Sequence, residues 1–324
     1  MSYTVPQHRS TAASFALRTL AVGATALFGC LLPQTAHAEP PAASPVSPAE
    51  APQKPAKPAR FVLPFQLRPV VAKTLVRHDV VASTHVAGST AANVTTLAYS
   101  FLPNIAVLAR VPYVSNTPKA GPKGTAFGNP LLGGLYTPAL RPTTRLAVFG
   151  GVAFPIGQGG GDTPDKAKAS AEGSGIYGRA AMDNALWVAD YGVGTAGIGL
   201  AESQGPCTGQ VEATVLHLVR MRAEKLQKDA SRTNLTAGLM AGCYVLPPVQ
   251  LIAELRYQRW LSTPAVVDLD ASKRDQATVG LGLRFDVRAG AALLRPGVLM
   301  GTPLDDPMKK ADYRQIMLDL PIVF

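Results

Sequence analysis

Apolar and polar residues alternate along most of the chain after residue 60. Between 249 and 257 every odd position is apolar or aromatic, and the even positions are polar except for Ile252. Between 277 and 287 the odd positions are again apolar, while the even positions are glycine or polar. At the C-terminus the apolar positions of the same period are Ile316, Leu318, Leu320, Ile322 and Phe324. A period of two over this length predicts β-strands with one apolar and one polar face.

The alternation predicts twelve strands, at approximately 67–83, 92–101, 105–115, 127–136, 144–154, 188–200, 210–226, 233–245, 249–262, 275–286, 291–301 and 313–324. Many exceed the ~5–6 residues typical of soluble strands and match the ~9–11 that a tilted membrane strand needs. With both termini on the inner side, inner turns are expected at 102–104, 137–143, 201–209, 246–248 and 287–290. Outer loops are expected at 84–91, 116–126, 155–187, 227–232, 263–274 and 302–312.

This arrangement fits a membrane barrel, which in bacteria has an even strand number, short inner turns and longer outer loops. The polar face carries small residues and isolated charges of both signs, which suits a lumen. The predicted fold is therefore all-β: a 12-stranded antiparallel transmembrane β-barrel over residues 60–324, with a helical segment in the third outer loop. A soluble β-sandwich has the same alternation and is the alternative.

The body of the chain, and its last 12 residues in particular, resembles outer-membrane β-barrels of Gram-negative bacteria. The resemblance rests on the alternation and on the aromatic Phe324 that completes the last strand. It implies a lipid bilayer as surroundings and insertion by the barrel assembly machinery through Phe324.

The N-terminus has the layout of a secretory signal peptide. Arg9 and Arg18 precede an uncharged stretch at 19–32, and Ala36-His37-Ala38 supplies small residues for cleavage after Ala38. A retained membrane anchor is the alternative. Residues 39–59 follow as a proline-rich leader, which is expected to be disordered because it cannot bury apolar area.

The composition and the net charge exclude some classes of fold and of binding partner. The chain of 324 residues is 47% hydrophobic and 16% charged with a net charge of +10, and this apolar content excludes disorder of the whole chain. No apolar run of ~18 residues or more occurs, which excludes a bundle of membrane helices. We expect no nucleic-acid partner, because export removes the chain from the cytoplasm and no basic block is interleaved with aromatic residues.

The predicted third outer loop, 155–187, is unusually long and is expected to be functional or disordered. Thr163-Pro164 resembles a helix start, and Ala180, Asp183 and Trp187 lie at helical spacing in the segment 179–187. Gly173 and Gly175 are expected to divide the helix into two pieces. We expect this helix to fold over or into the barrel mouth as a lid or plug formed by Arg179, Asp183 and Trp187. An external helix that contacts nothing is the alternative.

Following the alternation inward, the lumen is expected to be lined by Lys73, Arg77, Asp79, Arg110, Glu212, Arg220, Arg222, Glu224, Glu254, Arg256, Arg284, Asp286, Arg295 and Asp319. The first and last strands must pair to close the barrel, so Lys73 and Asp319 are expected to form an ion pair. The excess of arginine on the later strands would give the channel an anionic bias. Charges that simply fill a modest barrel are the alternative.

No enzyme, cofactor or metal site is expected. His217 is predicted to face lipid without a serine two residues away, and no nucleophile elbow or zinc-protease motif occurs. Cys207 lies in a predicted inner turn and Cys243 on the lipid face of a nearby strand. The sequence leaves open whether they form a disulfide, which an oxidising compartment would permit.

Two short motifs indicate a family. Gly128-Asn129-Pro130 precedes one strand and Phe154-Pro155-Ile156-Gly157 follows the next. Their spacing resembles outer-membrane transporters of the phenol-degradation meta-pathway type. The resemblance implies a porin-like passive transporter for small molecules, which can be hydrophobic. Together with the helix expected in the third outer loop, the sequence predicts a channel that this helix gates. A non-conducting structural or surface-exposed barrel is the alternative, followed by an outer-membrane lipid hydrolase.

Overall fold

The computed structural model describes residues 59–324; the predicted signal peptide and almost all of the predicted leader lie outside this range. The described chain forms one antiparallel sheet of 15 strands that closes on itself. The first seven strands are β1 (Leu75–His85), β2 (Gly88–Leu102), β3 (Ile105–Pro118), β4 (Gly124–Phe127), β5 (Leu131–Tyr136), β6 (Thr144–Ala153) and β7 (Tyr191–Gln204). The others are β8 (Cys207–Arg220), β9 (Ser231–Leu246), β10 (Val249–Trp260), β11 (Asp275–Phe285), β12 (Val287–Ala289), β13 (Ala292–Leu294), β14 (Gly297–Pro303) and β15 (Arg314–Val323).

The wall of the barrel has twelve strand positions, as the alternation predicts. It closes where β1 pairs with β15, from Leu75 opposite Val323 to Thr84 opposite Arg314. We call the end that carries the connection between β6 and β7 the outer end, and the end that carries the tight turns at 103–104 and 247–248 the inner end. The prediction of a 12-stranded antiparallel barrel is confirmed.

Two predicted strands are interrupted. The fourth strand position of the wall is formed by β4 and β5. They are separated at Gly128-Asn129-Pro130, where Pro130 has no N–H to donate to a neighbouring strand. The predicted strand 291–301 is shortened to β14, and the residues before it form the small hairpin of β12 and β13. The expected inner turn at 201–209 is a tight turn at 205–206, where Gly205 adopts a positive φ of 58°.

The predicted first strand, 67–83, is wrong in its first half, because β1 begins only at Leu75. Residues 60–72, which we call the lumenal segment, instead lie inside the barrel. Val62, Phe65 and Leu67 are buried in a cluster with inward-facing residues of five wall strands. The segment therefore fills the lumen and does not belong to the wall.

The helices lie in the outer loops: α1 (Lys166–Gly178), α2 (Asn184–Trp187), α3 (Ala265–Leu269) and α4 (Asp306–Lys310), with a 3₁₀ turn at Ala271–Arg274. Helix α1 starts after Asp165, whose carboxylate accepts the Lys168 N–H at 2.9 Å, and not at Thr163-Pro164. Among the described residues, no helix is long and apolar enough to cross a membrane.

The expected break at Gly173 and Gly175 is wrong, because α1 continues through both glycines. A Cβ on Gly175 would lie 2.5 Å from the Trp187 ring, so this glycine lets α2 pack against α1. The chain turns after α1, where Ala180 and Ala181 have positive φ angles of 52° and 57°. Only Asn184–Trp187 of the predicted helix at 179–187 is helical.

Candidate functional site: the occluded lumen

The backbone of the lumenal segment is held by two carboxylates of the wall. Glu254 on β10 accepts the N–H groups of Phe65 at 2.6 Å and Gln66 at 2.9 Å. Glu212 on β8 accepts the Arg68 N–H at 2.7 Å and its guanidinium at 2.8 Å. Both glutamates are predicted lumen residues, and both point inward and are buried.

Three predicted lumen arginines bind the carbonyl groups of the same segment. Arg256 donates to the Gln66 carbonyl at 2.6 Å, and Arg284 donates to the Pro64 carbonyl at 3.4 Å. Arg77 donates to the carbonyls of Pro64 and Phe65. Wall side chains therefore supply hydrogen-bond partners for both N–H and carbonyl groups of the lumenal segment, which does not join a strand ladder.

Apolar contacts support these hydrogen bonds. Phe65 is 1% exposed. A Cβ on Gly282 or Gly297 would lie 2.6 or 2.7 Å from its ring, and the Arg284 guanidinium lies 4.3 Å from the ring centroid. Ile252, the exception in the alternation of β10, faces inward and packs in the cluster of the lumenal segment. This apolar residue on a polar face was the sequence signal for the buried segment.

A cluster of charges lies where the barrel closes. Asp319 accepts from Arg77 at 2.9 Å and from Arg284 at 2.5 Å, and Asp79 lies directly opposite Asp319. The expected ion pair of Lys73 with Asp319 is wrong. In the register of β1 with β15, Lys73 precedes the first paired residue and is exposed, whereas Arg77 lies close to Asp319.

The connection 155–190, which we call the third outer loop, reaches this cluster. Arg179 bonds to Asp79 on the wall and to Asp183 within the loop at 2.7 Å. Arg110 on β3 binds Asp183 at 3.0 Å. Burial alone would raise the pKa of Asp183, but Arg110 and Arg179 hold it well below its usual value. Two of the three residues predicted for the lid, Arg179 and Asp183, thus join the loop to the lumenal wall.

Trp187, the third predicted lid residue, is buried within the main apolar cluster of the outer half of the lumen. Its ring packs against Gly128 as well as Gly175, where an added Cβ on Gly128 would lie 3.1 Å from the ring. The loop therefore folds into the barrel mouth and is not an external helix.

Asn129 connects the two ends of this loop. Its amide nitrogen donates to the carbonyls of Val188 at 2.8 Å and Tyr191 at 3.2 Å, and its amide oxygen accepts the Gly157 N–H at 3.0 Å. Both short motifs noted in the sequence, 128–130 and 154–157, therefore meet at one fully buried side chain.

Glu172 of α1 is a buried carboxyl group in the loop. One oxygen accepts the Gly159 N–H at 2.6 Å, and the other makes no hydrogen bond within the described chain. Burial raises the pKa of Glu172 to about 7, opposed by the Gly159 N–H and Arg222 and assisted by the negative charge of Asp190.

A cavity of about 100 Å³ lies between the lumenal segment and the third outer loop. It is lined by Leu63 and Gln66 of the lumenal segment and by Arg179 and Asp183 of the third outer loop. Separate segments therefore enter the lumen from the inner and the outer side, and both line this cavity.

The other predicted lumen residues lie near the rims. Arg222 donates to the Gly157 and Ala189 carbonyls at 2.7 Å, and Arg220 donates to the Gln227 carbonyl at 2.5 Å. The carboxylate of Glu224 is largely exposed. At the inner end Arg295 binds Asp286 at 2.9 Å. Of the arginines expected to produce an anionic bias, Arg220, Arg222, Arg284 and Arg295 each lie within ion-pair distance of a carboxylate.

Cys207 and Cys243 form a disulfide between β8 and β9. The tight turn at 205–206 starts β8 at Cys207, which brings the two residues directly opposite each other. Both lie on the outward face of the barrel wall, as expected for Cys243.

Comparisons with known proteins are informative for the fold. No protein-family model matches the chain, and no curated protein matches it. An outer-membrane channel from Pseudomonas putida is 12% identical with a TM-score of 0.53, and the match covers 82% of this chain and 100% of that one. The KdgM porin is 7% identical with a TM-score of 0.45, covering 77% and 99%. The CymD monoaromatic hydrocarbon channel is 9% identical with a TM-score of 0.35, covering 78% and 87%. At these identities the first match indicates a shared barrel fold.

Proposed function

We propose that this chain is an outer-membrane channel through which small solutes diffuse passively, closed at rest by the lumenal segment and the third outer loop. The polarity of the wall behind the lumenal segment carries the proposal. The buried inward side chains there include Thr208, Gln210, Glu212, Gln250, Glu254 and Arg256. A permanently filled interior is often as stable with apolar residues, whereas a water-filled barrel requires polar ones.

The attachment of the lumenal segment also favours a movable element. Its hydrogen bonds to Glu212, Glu254 and the wall arginines involve charged groups, and each contributes about 1.5–3 kcal/mol net. All of them go to side chains, and none belongs to a strand ladder. The segment can therefore leave without breaking the strand ladders that close the barrel.

The outward face supports the membrane location. Large apolar side chains stand exposed around the wall, with Leu281 at 63% and Met300 at 64%. Soluble monomers rarely expose contiguous apolar patches beyond a few hundred Å². We therefore propose that the barrel lies in the outer membrane. Export with cleavage at Ala38 and insertion by the barrel assembly machinery through Phe324 belong to the same proposal.

A reversible tether tests the proposal. A Cβ on Gly242 would lie 3.2 Å from the Val62 Cβ, close to the roughly 3.5–4.5 Å of a disulfide. In a background with Cys207→Ser and Cys243→Ser, Val62→Cys together with Gly242→Cys should link the lumenal segment to β9. We expect planar-bilayer conductance to be suppressed in the oxidised protein and restored by dithiothreitol. Val62→Cys alone is the matched control and should not respond.

The alternatives make different predictions in the same preparation. A non-conducting barrel stays silent after reduction of the tether and also after deletion of both 60–72 and 158–187, and that result would refute the channel. A lipid hydrolase would turn over phospholipid in detergent and lose this activity in His217→Ala. His217 faces outward, and its ring nitrogen lies 2.9 Å from the Thr233 hydroxyl.

A further inference from the structure

A second, larger cavity opens among the outer loops. Its volume is about 490 Å³, within the range of small-molecule sites. The third outer loop contributes Tyr177 and Asn184, and the barrel rim contributes Trp260, Arg232 and Tyr313. It is separate from the cavity of about 100 Å³ in the lumen, with which it shares no lining residue.

Asn184 is the unusual member of this lining. It is 2% exposed, and neither its amide oxygen nor its amide nitrogen has a hydrogen-bond partner within the described chain. Most buried side-chain amides are hydrogen-bonded, and an unpaired one destabilises the fold. A side chain of this kind in a cavity wall is suited to bind a polar group of a ligand.

The charge of the lining has one sign. The basic side chains are His85, Arg232 and Lys273, and no carboxylate belongs to the described lining. Asp229 lies 3.8 Å from Arg232 and Asp270 lies 3.9 Å from Lys273, but neither lines the cavity. The Arg232 Nε is buried without a hydrogen-bond partner in the described chain.

We infer that this cavity is a binding site for a small amphipathic organic acid with an apolar body, a carboxylate and a nearby hydroxyl group. The carboxylate accepts from the Asn184 amide and is attracted by Arg232 and Lys273. The hydroxyl donates to the Asn184 amide oxygen, and the apolar body packs on Trp260 and its aromatic neighbours. This inference rests on the proposed channel, for which the site would collect solute at the outer mouth.

The test measures binding to the full mature chain in detergent by calorimetry, with mandelate as the probe, because it has a phenyl ring and a hydroxyl group on the carbon next to its carboxylate. We expect Asn184→Leu to weaken binding at least tenfold, a loss of about 1.4 kcal/mol. The same variant should unfold at an equal or higher temperature, because it removes an unpaired buried amide. Equal affinity in the two chains, or a lower unfolding temperature together with weaker binding, would assign Asn184 a structural role and overturn the site.

Charge selectivity is tested with a neutral probe and a matched pair of variants. Methyl mandelate, the neutral ester, should bind more weakly than the acid, and equal binding would overturn the organic-acid class. Lys273→Gln should weaken binding of the acid, whereas Lys310→Gln, outside the lining, should not. Binding by a chain that never conducts would refute the channel alone, and conductance without binding would refute this site alone.

Discussion

Replacement of Glu172 by glutamine should remove a pH dependence from the third outer loop. The carboxyl group is 1% exposed, and burial raises its pKa from 4.5 to about 7. The docked loop therefore binds the proton more tightly than an undocked loop does. As a result, the docked state loses stability as pH rises from about 4.5 to about 7, and the loss is constant at higher pH.

The size of the effect follows from the shift. A change of about 2.5 pKa units, at 1.36 kcal/mol per unit, corresponds to about 3 kcal/mol, or roughly 300-fold in the docking equilibrium. The Glu172→Gln side chain would keep an amide oxygen to accept the Gly159 N–H and would remain neutral at every pH. Asp190 and Arg222 also face the carboxyl group, and they are unchanged in the variant.

Amide hydrogen exchange of α1 measures this equilibrium. The ratio of exchange rates in the two chains at each pH cancels the intrinsic dependence of exchange on pH. We expect a ratio near one at pH 4 and faster exchange in the wild type by about two orders of magnitude at pH 8. Glu224→Gln, at a largely exposed side chain of another outer loop, is the control and should follow the wild type. A Glu172→Gln chain that keeps the pH dependence of the wild type would refute the reasoning.

Two further changes test the wall and the loop. The double variant Cys207→Ser, Cys243→Ser should lower the free energy of unfolding by roughly 4 kcal/mol, as expected for a disulfide that closes a separation of 36 residues. The temperature of heat modification on gels should fall accordingly, and an unchanged temperature would contradict a bonded pair. Arg179→Met should weaken loop docking by up to about 3–5 kcal/mol, because it removes the hydrogen-bonded partner of the buried Asp79 and leaves it only Arg77, 3.9 Å away. Exchange of α1 as slow as in the wild type would contradict the ion pair as the attachment.

The barrel wall was predictable because its pattern is local. Strands such as β10 and β15 alternate with a period of two, and every long connection falls at the expected end. The position of the lumenal segment inside the barrel was not predictable in this way. Phe65 and Gln66 are bonded to Glu254, 189 and 188 residues away, and no local pattern distinguishes such a partner from a neighbouring strand. Ile252 on the polar face was an indirect signal.

The third outer loop illustrates a second limit. Its length predicted a special role, and Arg179, Asp183 and Trp187 do fold inward. The glycines at 173 and 175 favour a helix break by propensity, but the ring of Trp187 needs the space at Gly175 and the helix continues. Tertiary packing therefore overrides the local preference. The cavity around Asn184 also escapes prediction, since several loops assemble it.

The most direct test of a polar-walled barrel closed by two chain segments is the unit conductance of a variant that lacks both 60–72 and 158–187. Heat modification on gels and resistance to protease would establish that the variant is folded. We expect steady, ohmic conductance from this variant and brief or rare openings from the wild type. A folded double-deletion barrel that remains silent in planar bilayers would contradict a channel.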